Sequence, residues 1–276
     1  MPRVQAVNHQ LSTVNCQLST VNYLPPHSWL MSTFPIASHL TGYWQDAFNL
    51  KQHLHQFLNI DAEQLELKFK TAVEDLAELG RRDFDLEDAS NFYRDRVGEA
   101  YLFELATWHL TSTDYIGDTL RLIGDRARGR VLDFGGGIGT HAIASALCPE
   151  VTHVVYCDIN PINYNFVKHR IHQLGLESKI TCCTELAPTD TFDTITCFDV
   201  MEHLPQPSEQ LLQFHQILKP EGKMITNWYF SKGANQEFPF HLDDPETIDR
   251  FFITLQSSFL EVFHPYFITT RCYQKM

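Results

Sequence analysis

The chain has 276 residues, with 21 Lys plus Arg against 34 Asp plus Glu, for a formal net charge of −13. Apolar residues make up 43% and aromatics 12%, enough for a sizeable core, which excludes wholesale disorder. No apolar run approaches the length of a membrane-spanning helix, and the acidic balance argues against a nucleic-acid partner.

The first thirty residues differ from the rest. Residues 7–23 repeat with a period of seven: Val-Asn-His-Gln-Leu-Ser-Thr, then Val-Asn-Cys-Gln-Leu-Ser-Thr, then Val-Asn-Tyr. Arg3 is the only Lys, Arg, Asp or Glu before Met31, and no basic start with a continuous apolar stretch marks a signal peptide. A near-perfect repeat of this kind is what duplicated noncoding DNA yields on translation. Residues 1–30 are therefore expected to be a disordered tail, or to precede the true start at Met31.

Residues 43–125 read as helical. Apolar residues recur at three and four in Leu50, Leu54, Phe57 and Leu58, and again in Leu65, Phe69, Val73, Leu76 and Leu79. Gly80 is the expected C-cap of the second run. A third run spans Ala89 to Thr107, and a fourth Tyr115 to Ile123, ended by Gly124. Residues 31–125 thus form a helical subdomain, expected to act as a lid.

After Gly129 short β-rich runs alternate with helical ones. Strands are expected at Arg130–Phe134, His153–Asp158, Lys179–Thr184, Phe192–Phe198 and Gly222–Phe230. Helices are expected at Thr140–Leu147, Pro161–Leu174, Ser208–Leu218 and Pro245–Ser257, two of them announced by Asn160-Pro161 and Asp244-Pro245. Such alternation implies a doubly wound, mostly parallel sheet. Leu260–Phe263 and Phe267–Tyr273 are too close for a crossover helix, so they close the sheet as an antiparallel hairpin. Seven cysteines with no Cys-x-x-Cys, among them Cys157, Cys182, Cys183 and Cys197 in strand-like runs, read as reduced, buried thiols of a cytoplasmic protein.

The turn after the first strand is Asp133-Phe134-Gly135-Gly136-Gly137-Ile138-Gly139. Two cofactors compete for it. From Gly137 it reads as a dinucleotide fingerprint, with Asp158 at ribose distance. From Asp133 it reads as Asp-x-Gly-x-Gly-x-Gly. A dinucleotide would set an anionic pyrophosphate against Asp133. S-adenosylmethionine has no phosphate and carries an ammonium and a sulfonium, which a carboxylate attracts.

In these features the sequence resembles the class I S-adenosylmethionine-dependent methyltransferases, over roughly residues 130–276. The matching elements are Asp133 to Gly139, Asp158, Glu185 after the third strand, Phe192-Asp193, Leu218-Lys219-Pro220-Glu221-Gly222 and the terminal hairpin. The resemblance implies a Rossmann-like seven-stranded sheet in residues 126–276. It also implies that Asp133, Gly135, Gly137 and Gly139 hold the methionine part, Asp158 the ribose, and Glu185 with Leu186 the adenine edge, with Asp190 as a competitor for Glu185.

Asp199, Glu202 and His203 follow the fourth strand, at the edge that faces the ligand crevice in open α/β sheets. Asp199 is counted with the cofactor residues. Three uses of the loop remain open. It can anchor backbone; His203, His241 or Glu202 can remove a proton; or it can bind metal. Asp199-x-x-Glu202-His203 with the later His241 resembles the metal-binding segment of ubiquinone-pathway O-methyltransferases, and would suit a divalent cation.

The segment 227–240 carries Trp228, Tyr229, Phe230, Phe238 and Phe240, which either line an aromatic acceptor pocket or close the core. Tyr93, Arg94, Trp108 and His109 are further groups within reach from the helical front. His53, His55, His169 and His172 read as surface or half-buried residues. The expected activity is methyl transfer to a small, apolar or aromatic molecule at oxygen, with no metal as the favoured form. The competing functions are a nicotinamide-dependent oxidoreductase and a protein that binds S-adenosylmethionine without catalysis.

Overall fold

The computed structural model describes residues 35–264 and 270–276. The expectation for residues 1–30 lies outside the described residues, as does part of the last expected strand. The front consists of α1 (Ser38–Gln45), α2 (Leu50–Leu58), α3 (Ala62–Asp83), α4 (Ala89–Asn91), a π turn (Phe92–Arg96), α5 (Gly98–Thr111) and α6 (Thr113–Arg126). A capping box opens α3: the Asp61 carboxylate accepts from the Gln64 N–H at 2.8 Å, and the Gln64 side chain accepts from the Asp61 N–H at 3.0 Å.

Three expectations for the front are corrected. Gly80 does not end its helix; α3 continues to Asp83, and Gly80 is glycine because the Phe240 ring and Pro239 occupy the place of a side chain. Gly124 likewise lies inside α6, against Ala37 and Leu40. The run Ala89–Thr107 is not one helix. Its ladder widens at the π turn, where the Val97 N–H bonds the Phe92 carbonyl at 3.3 Å, and Gly98 has a left-handed φ of 56°.

The α/β part contains β1 (Gly129–Phe134), α7 (Thr140–Leu147), β2 (Val151–Cys157), α8 (Pro161–Gln173), β3 (Ile180–Cys183), β4 (Phe192–Cys197), α9 (Pro207–Ile217), β5 (Leu218–Thr226), α10 (Pro245–Ser258), β6 (Phe259–Val262) and β7 (Arg271–Lys275). The sheet order is β3-β2-β1-β4-β5-β7-β6. β7 runs antiparallel to both neighbours, and the other pairings are parallel. The expected Rossmann-like fold with its antiparallel end is therefore present. Asn160 and Asp244 cap α8 and α10 as their sequence contexts imply. β5 starts earlier than expected, at Leu218, and Glu221 takes a left-handed φ of 62° before the ladder resumes at Lys223. It also stops at Thr226, and the next residue, Asn227, holds Asp199 through its side chain.

Alternation along the strands sends Val131, Val154 and Tyr156 to one face and Leu132, Val155 and Cys157 to the other. The first face packs on α7 and α8 and shares its core with Leu40, Phe48, Leu102 and Ile116 of the front. The second packs on α9 and α10 through Leu211, Phe214, Phe251 and Leu255. Residues 35–264 and 270–276 form one compact unit. At the shared core lies Arg170, fully buried, donating to the carbonyls of Ile138 and Phe48 and, at 2.9 Å, to the Tyr43 hydroxyl. His53 is also buried, with its ring beside Arg170, deeper than the surface or half-buried position expected of it. Among the described residues no helix is long and apolar enough to cross a membrane.

Candidate active site

β1 lies between β2 and β4, so the chain reverses direction across the sheet at this strand and leaves a crevice at its carboxyl end. The glycine loop fills that position. Gly135, Gly137 and Gly139 have φ of 63°, 51° and 75°, a region that costs other residues about 1–2 kcal/mol. A side chain on Gly136 would strike the Asp133 carboxylate and the Tyr156 ring, at 2.6 and 2.7 Å. The loop is pinned from below. The Tyr156 hydroxyl donates to the Gly137 carbonyl at 2.7 Å, and the Asp158 carboxylate accepts from the Gly137 N–H at 2.8 Å and from the Asn160 N–H at 2.7 Å.

Asp158 lies at the mouth of β2 and lines a cleft of about 440 Å³, together with Gly135, Glu185, Leu186, Asp199 and His203. Burial pushes its carboxyl up to about 6, while the two N–H bonds pull the other way. The neighbouring Asp133 is differently placed. It is almost wholly buried beneath the loop rather than in the cleft wall. One oxygen accepts from the Thr196 hydroxyl at 2.6 Å; the other is buried without a partner. Burial raises it to about 7. A carboxylate oxygen without a partner among the described residues, under a glycine cradle beside a cleft whose described lining contains no Lys or Arg, fits a cofactor that is cationic and has no phosphate.

Asp199 follows β4 with a left-handed φ of 53°. Asn227 holds it from both sides: its carbonyl accepts the Asp199 N–H at 2.6 Å, and its amide donates to the Asp199 carboxylate at 2.7 Å and to the Tyr115 hydroxyl at 2.7 Å. Burial still lifts Asp199 to about 6. Glu202 sits in a short 3₁₀ turn, Met201–His203, and is buried. One of its oxygens accepts from the Tyr229 N–H at 3.0 Å; the other has no partner. Burial and the Asp199 charge raise it to about 8.

His241 comes back to this loop from beyond β5. The Leu242 N–H bonds the Glu202 carbonyl at 2.6 Å, which fixes the two segments together. The rings of His203 and His241 are 4.8 Å apart, and ligand atoms of Glu202, His203 and His241 lie within 4.8 Å of one another. His241 donates from Nδ1 to the Ser231 carbonyl at 3.1 Å, so its Nε2 carries the lone pair. His203 Nδ1 lies 3.0 Å from the Tyr93 hydroxyl. Burial lowers His203 to about 3 and His241 to about 4, so both are neutral imidazoles at neutral pH. Two imidazole nitrogens and one unpartnered carboxylate oxygen form a donor set that fits Mn²⁺, Fe²⁺ or Zn²⁺. Asp199, expected as a fourth ligand, is not part of this group; Asn227 and the left-handed turn hold it separately.

The aromatic segment after β5 divides its duties. Trp228 and Phe230 pack on Phe251 and Phe252, and Phe240 joins Leu76 and Phe92. Tyr229 and Phe238 remain half exposed, with Phe238 stacked on His241 at 5.1 Å. His109 bonds Thr140 and faces away from the cleft, Trp108 is exposed, and Arg94 bonds Asn91. Of these four residues Tyr93 reaches the cleft, where Ala89, Ser90 and Tyr101 of the front join it. Tyr101, Glu104 and Asn227 had no motif to mark them. Glu104, on α5, is raised to about 7 by burial and by Asp199. Glu185 and Leu186 line the cleft as expected; Asp190 instead pairs with Arg130 at 2.8 Å.

A family model described as a methyltransferase domain matches residues 107–250, more than half of the chain. The ubiquinone biosynthesis O-methyltransferase of Xanthomonas oryzae pv. oryzae is 30% identical over 130 residues, 41% of this chain and 46% of that protein. A ubiquinone/menaquinone biosynthesis C-methyltransferase of Vibrio vulnificus is 29% identical over 113 residues, 39% and 44% of the two chains. The ribosomal RNA small subunit methyltransferase G of Acinetobacter baumannii is 34% identical over 84 residues, 30% and 40%. The chain thus spans less than half the length of each of these relatives.

Proposed function

For a chain that belongs to the S-adenosylmethionine-dependent methyltransferase family, we propose transfer of methyl to an oxygen of a small, apolar or aromatic acceptor in the cytoplasm, with no nucleic-acid substrate. The observation that carries the oxygen assignment is the convergence of His203, His241 and Glu202 beside the cleft. A hydroxyl must lose its proton as it is methylated, and a base in reach is worth about 10²–10⁴-fold. The aromatic walls, Tyr93, Tyr101 and Phe134, support a ring-shaped acceptor, and the acidic cleft disfavours an anionic one.

The bound cofactor supplies a methyl group already activated by its sulfonium. The protein's own contributions are alignment and the handling of one proton. The glycine loop and Asp158 orient the cofactor end of the cleft. Aligning two reactants can contribute about 7–11 kcal/mol. His203 lines the cleft as a neutral imidazole, and Tyr93 fixes its ring. With Nδ1 held by Tyr93, Nε2 is the nitrogen that would take the acceptor proton. Glu202, within 4.8 Å, then offers its unpartnered oxygen to the imidazolium. Both histidines titrate low for a free base, so the step is favoured where Glu202 is already ionised, above about pH 8, and its carboxylate stabilises the imidazolium.

A second reading has a specific observation in its favour. Glu202, His203 and His241 would hold a divalent metal, which would lower the pKa of an acceptor hydroxyl in place of a base. Nucleic acid is disfavoured by the charge of −13, and the relative that acts on ribosomal RNA matches a short stretch.

The test measures methyl transfer to a panel of phenols, aliphatic alcohols and amines, with and without chelator. For the base reading, His203→Ala lowers turnover about 10²–10⁴-fold while S-adenosylhomocysteine binding persists, and chelator has no effect. Loss of activity with chelator and its return with Mn²⁺ establishes the metal instead. Transfer to amines alone, or full activity in both His203→Ala and His241→Ala, overturns the oxygen assignment.

A further inference from the structure

Six free cysteines lie among the described residues, and two of them face each other. In the parallel pairing of β2 with β3, Cys157 is the register partner of Cys183. Neighbouring strands run about 4.8 Å apart, inside the range of about 4.4–6.8 Å that separates the Cα atoms of a disulfide. Paired residues point to the same face, and both cysteines belong to the α9–α10 side of the sheet. Cys182 alternates to the opposite face, so the thiols adjacent in sequence point apart. The facing thiols are close enough to share a hydrogen bond, and Cys183 Sγ also lies 3.6 Å from the Tyr156 carbonyl.

Their location is specific. Cys157 lines the cofactor cleft immediately before Asp158, and Cys183 immediately precedes Thr184, Glu185 and Leu186, which line it too. The Asp158 N–H bonds the Cys183 carbonyl at 3.2 Å, so the two strand ends already move as one piece.

We propose that Cys157 and Cys183 form a reversible disulfide that closes the cleft to S-adenosylmethionine. The oxidant is a peroxide. The Cys183 thiolate attacks one oxygen of hydrogen peroxide, the O–O bond breaks, and hydroxide leaves to become water with the thiol proton. The Cys183 sulfenic acid then takes the Cys157 thiolate at sulfur; the S–O bond breaks, the S–S bond forms, and a second water carries away the Cys157 proton. Two thiols and one peroxide thus give one disulfide and two waters. The pair is asymmetric in the sense this needs. The hydrogen bond from Cys157 holds Cys183 below the usual thiol range, while Cys157 is pushed up. Cys183 is also the more exposed partner. The strand spacing already admits the bond, and forming it turns both thiols out of their present rotamers at the strand ends that carry Asp158 and Glu185, which shifts those two side chains. A disulfide at the cleft edge, with one partner half-buried, is open to attack by thiols, which makes it reversible.

The experiment treats the full chain with graded hydrogen peroxide and follows two readouts: non-reducing peptide mass mapping and S-adenosylhomocysteine affinity by calorimetry. A peptide linking Cys157 to Cys183 is expected, two hydrogens lighter than the reduced pair. Affinity is expected to fall about tenfold or more as the charge-assisted contacts at Asp158 are lost, and to return with dithiothreitol. Prior saturation with S-adenosylhomocysteine slows the linkage. Cys183→Ser abolishes both linkage and peroxide sensitivity, and Cys182→Ser preserves both. A linkage through Cys182, oxidation to sulfinic acid without any linkage, or a 157–183 linkage that leaves affinity unchanged overturns the proposal.

Discussion

Asn227→Ala removes the side chain that holds Asp199 in its left-handed turn. Asn227 is buried, with two of its three side-chain hydrogen bonds going to Asp199: one neutral, from the Asp199 N–H at 2.6 Å, and one charge-assisted, to its carboxylate at 2.7 Å. A neutral bond contributes about 0.5–1.5 kcal/mol and a charged one about 1.5–3, so the substitution should cost about 2–4 kcal/mol of folding stability. The remaining bond joins Asn227 to Tyr115, and the two contributions to Asp199 are not independent, which argues for the lower half of that range. There is a second effect. The Asn227 amide is what pulls the Asp199 carboxyl downward against burial, so its loss raises a group already lifted to about 6. Less of it is then ionised at neutral pH, and the attraction for a cationic cofactor weakens. Urea unfolding reads the first effect, and calorimetric titration with S-adenosylhomocysteine at pH 7 and pH 8.5 reads the second. Affinity should fall at pH 7 and recover in part at pH 8.5. A stability loss below about 0.5 kcal/mol with unchanged affinity at both pH values would refute the clamp.

The buried acids also fix a pH dependence. Asp133, Asp158 and Asp199 are raised by burial to about 7, 6 and 6, above the unfolded value near 3.9. Linkage sets the sign: the folded chain binds protons more tightly, so this contribution to stability is complete below pH 3.9 and is lost as pH rises through about 6–7. Cofactor affinity should run the other way, rising over that interval, and thermal melts with and without S-adenosylhomocysteine across pH 5–8 should diverge; parallel curves would refute the assignment. Gly80→Ala gains about 1 kcal/mol of helix propensity but forces a methyl into the Phe240 ring, an overpacking cost of about 1–3 kcal/mol. A lower melting temperature is expected, with reduced turnover because Phe240 adjoins His241; unchanged values in both would show that the ring moves freely.

The α/β half was legible because each of its signals is local. Alternating strands, the Asn160 and Asp244 caps and the glycine loop all act within a few residues of themselves. So was the return of His241 to Glu202 and His203, since a loop after β5 must border the crevice. The hidden features depend on contacts far apart in the chain. Gly80 looks like a helix stop until Phe240, from another segment, is seen against it. Asp133 looks like a wall residue, and its burial beneath the loop follows from Thr196 and Gly136. Cys182-Cys183 is the conspicuous thiol pair in sequence, yet the strand period of two separates them and sets Cys157 opposite Cys183. Asn227 has no motif at all, because its partners Asp199 and Tyr115 lie 28 and 112 residues away.

The π turn at Phe92–Arg96 has one residue more than an α-helical turn would need. Tyr93, within it, accepts from the Asn160 amide through its carbonyl at 2.7 Å and meets His203 through its hydroxyl at 3.0 Å. Its backbone thus touches the cofactor end of the cleft and its side chain touches the acid–histidine loop. Each residue in an α-helix advances the direction of the side chains by about 100°. Loss of a single codon between 94 and 96 would therefore rotate Tyr93 by about that angle against the residues that follow the turn, so that its two attachments and the packing of α5 could not all be kept. The width of that one turn thus sets how the two ends of the cleft are joined.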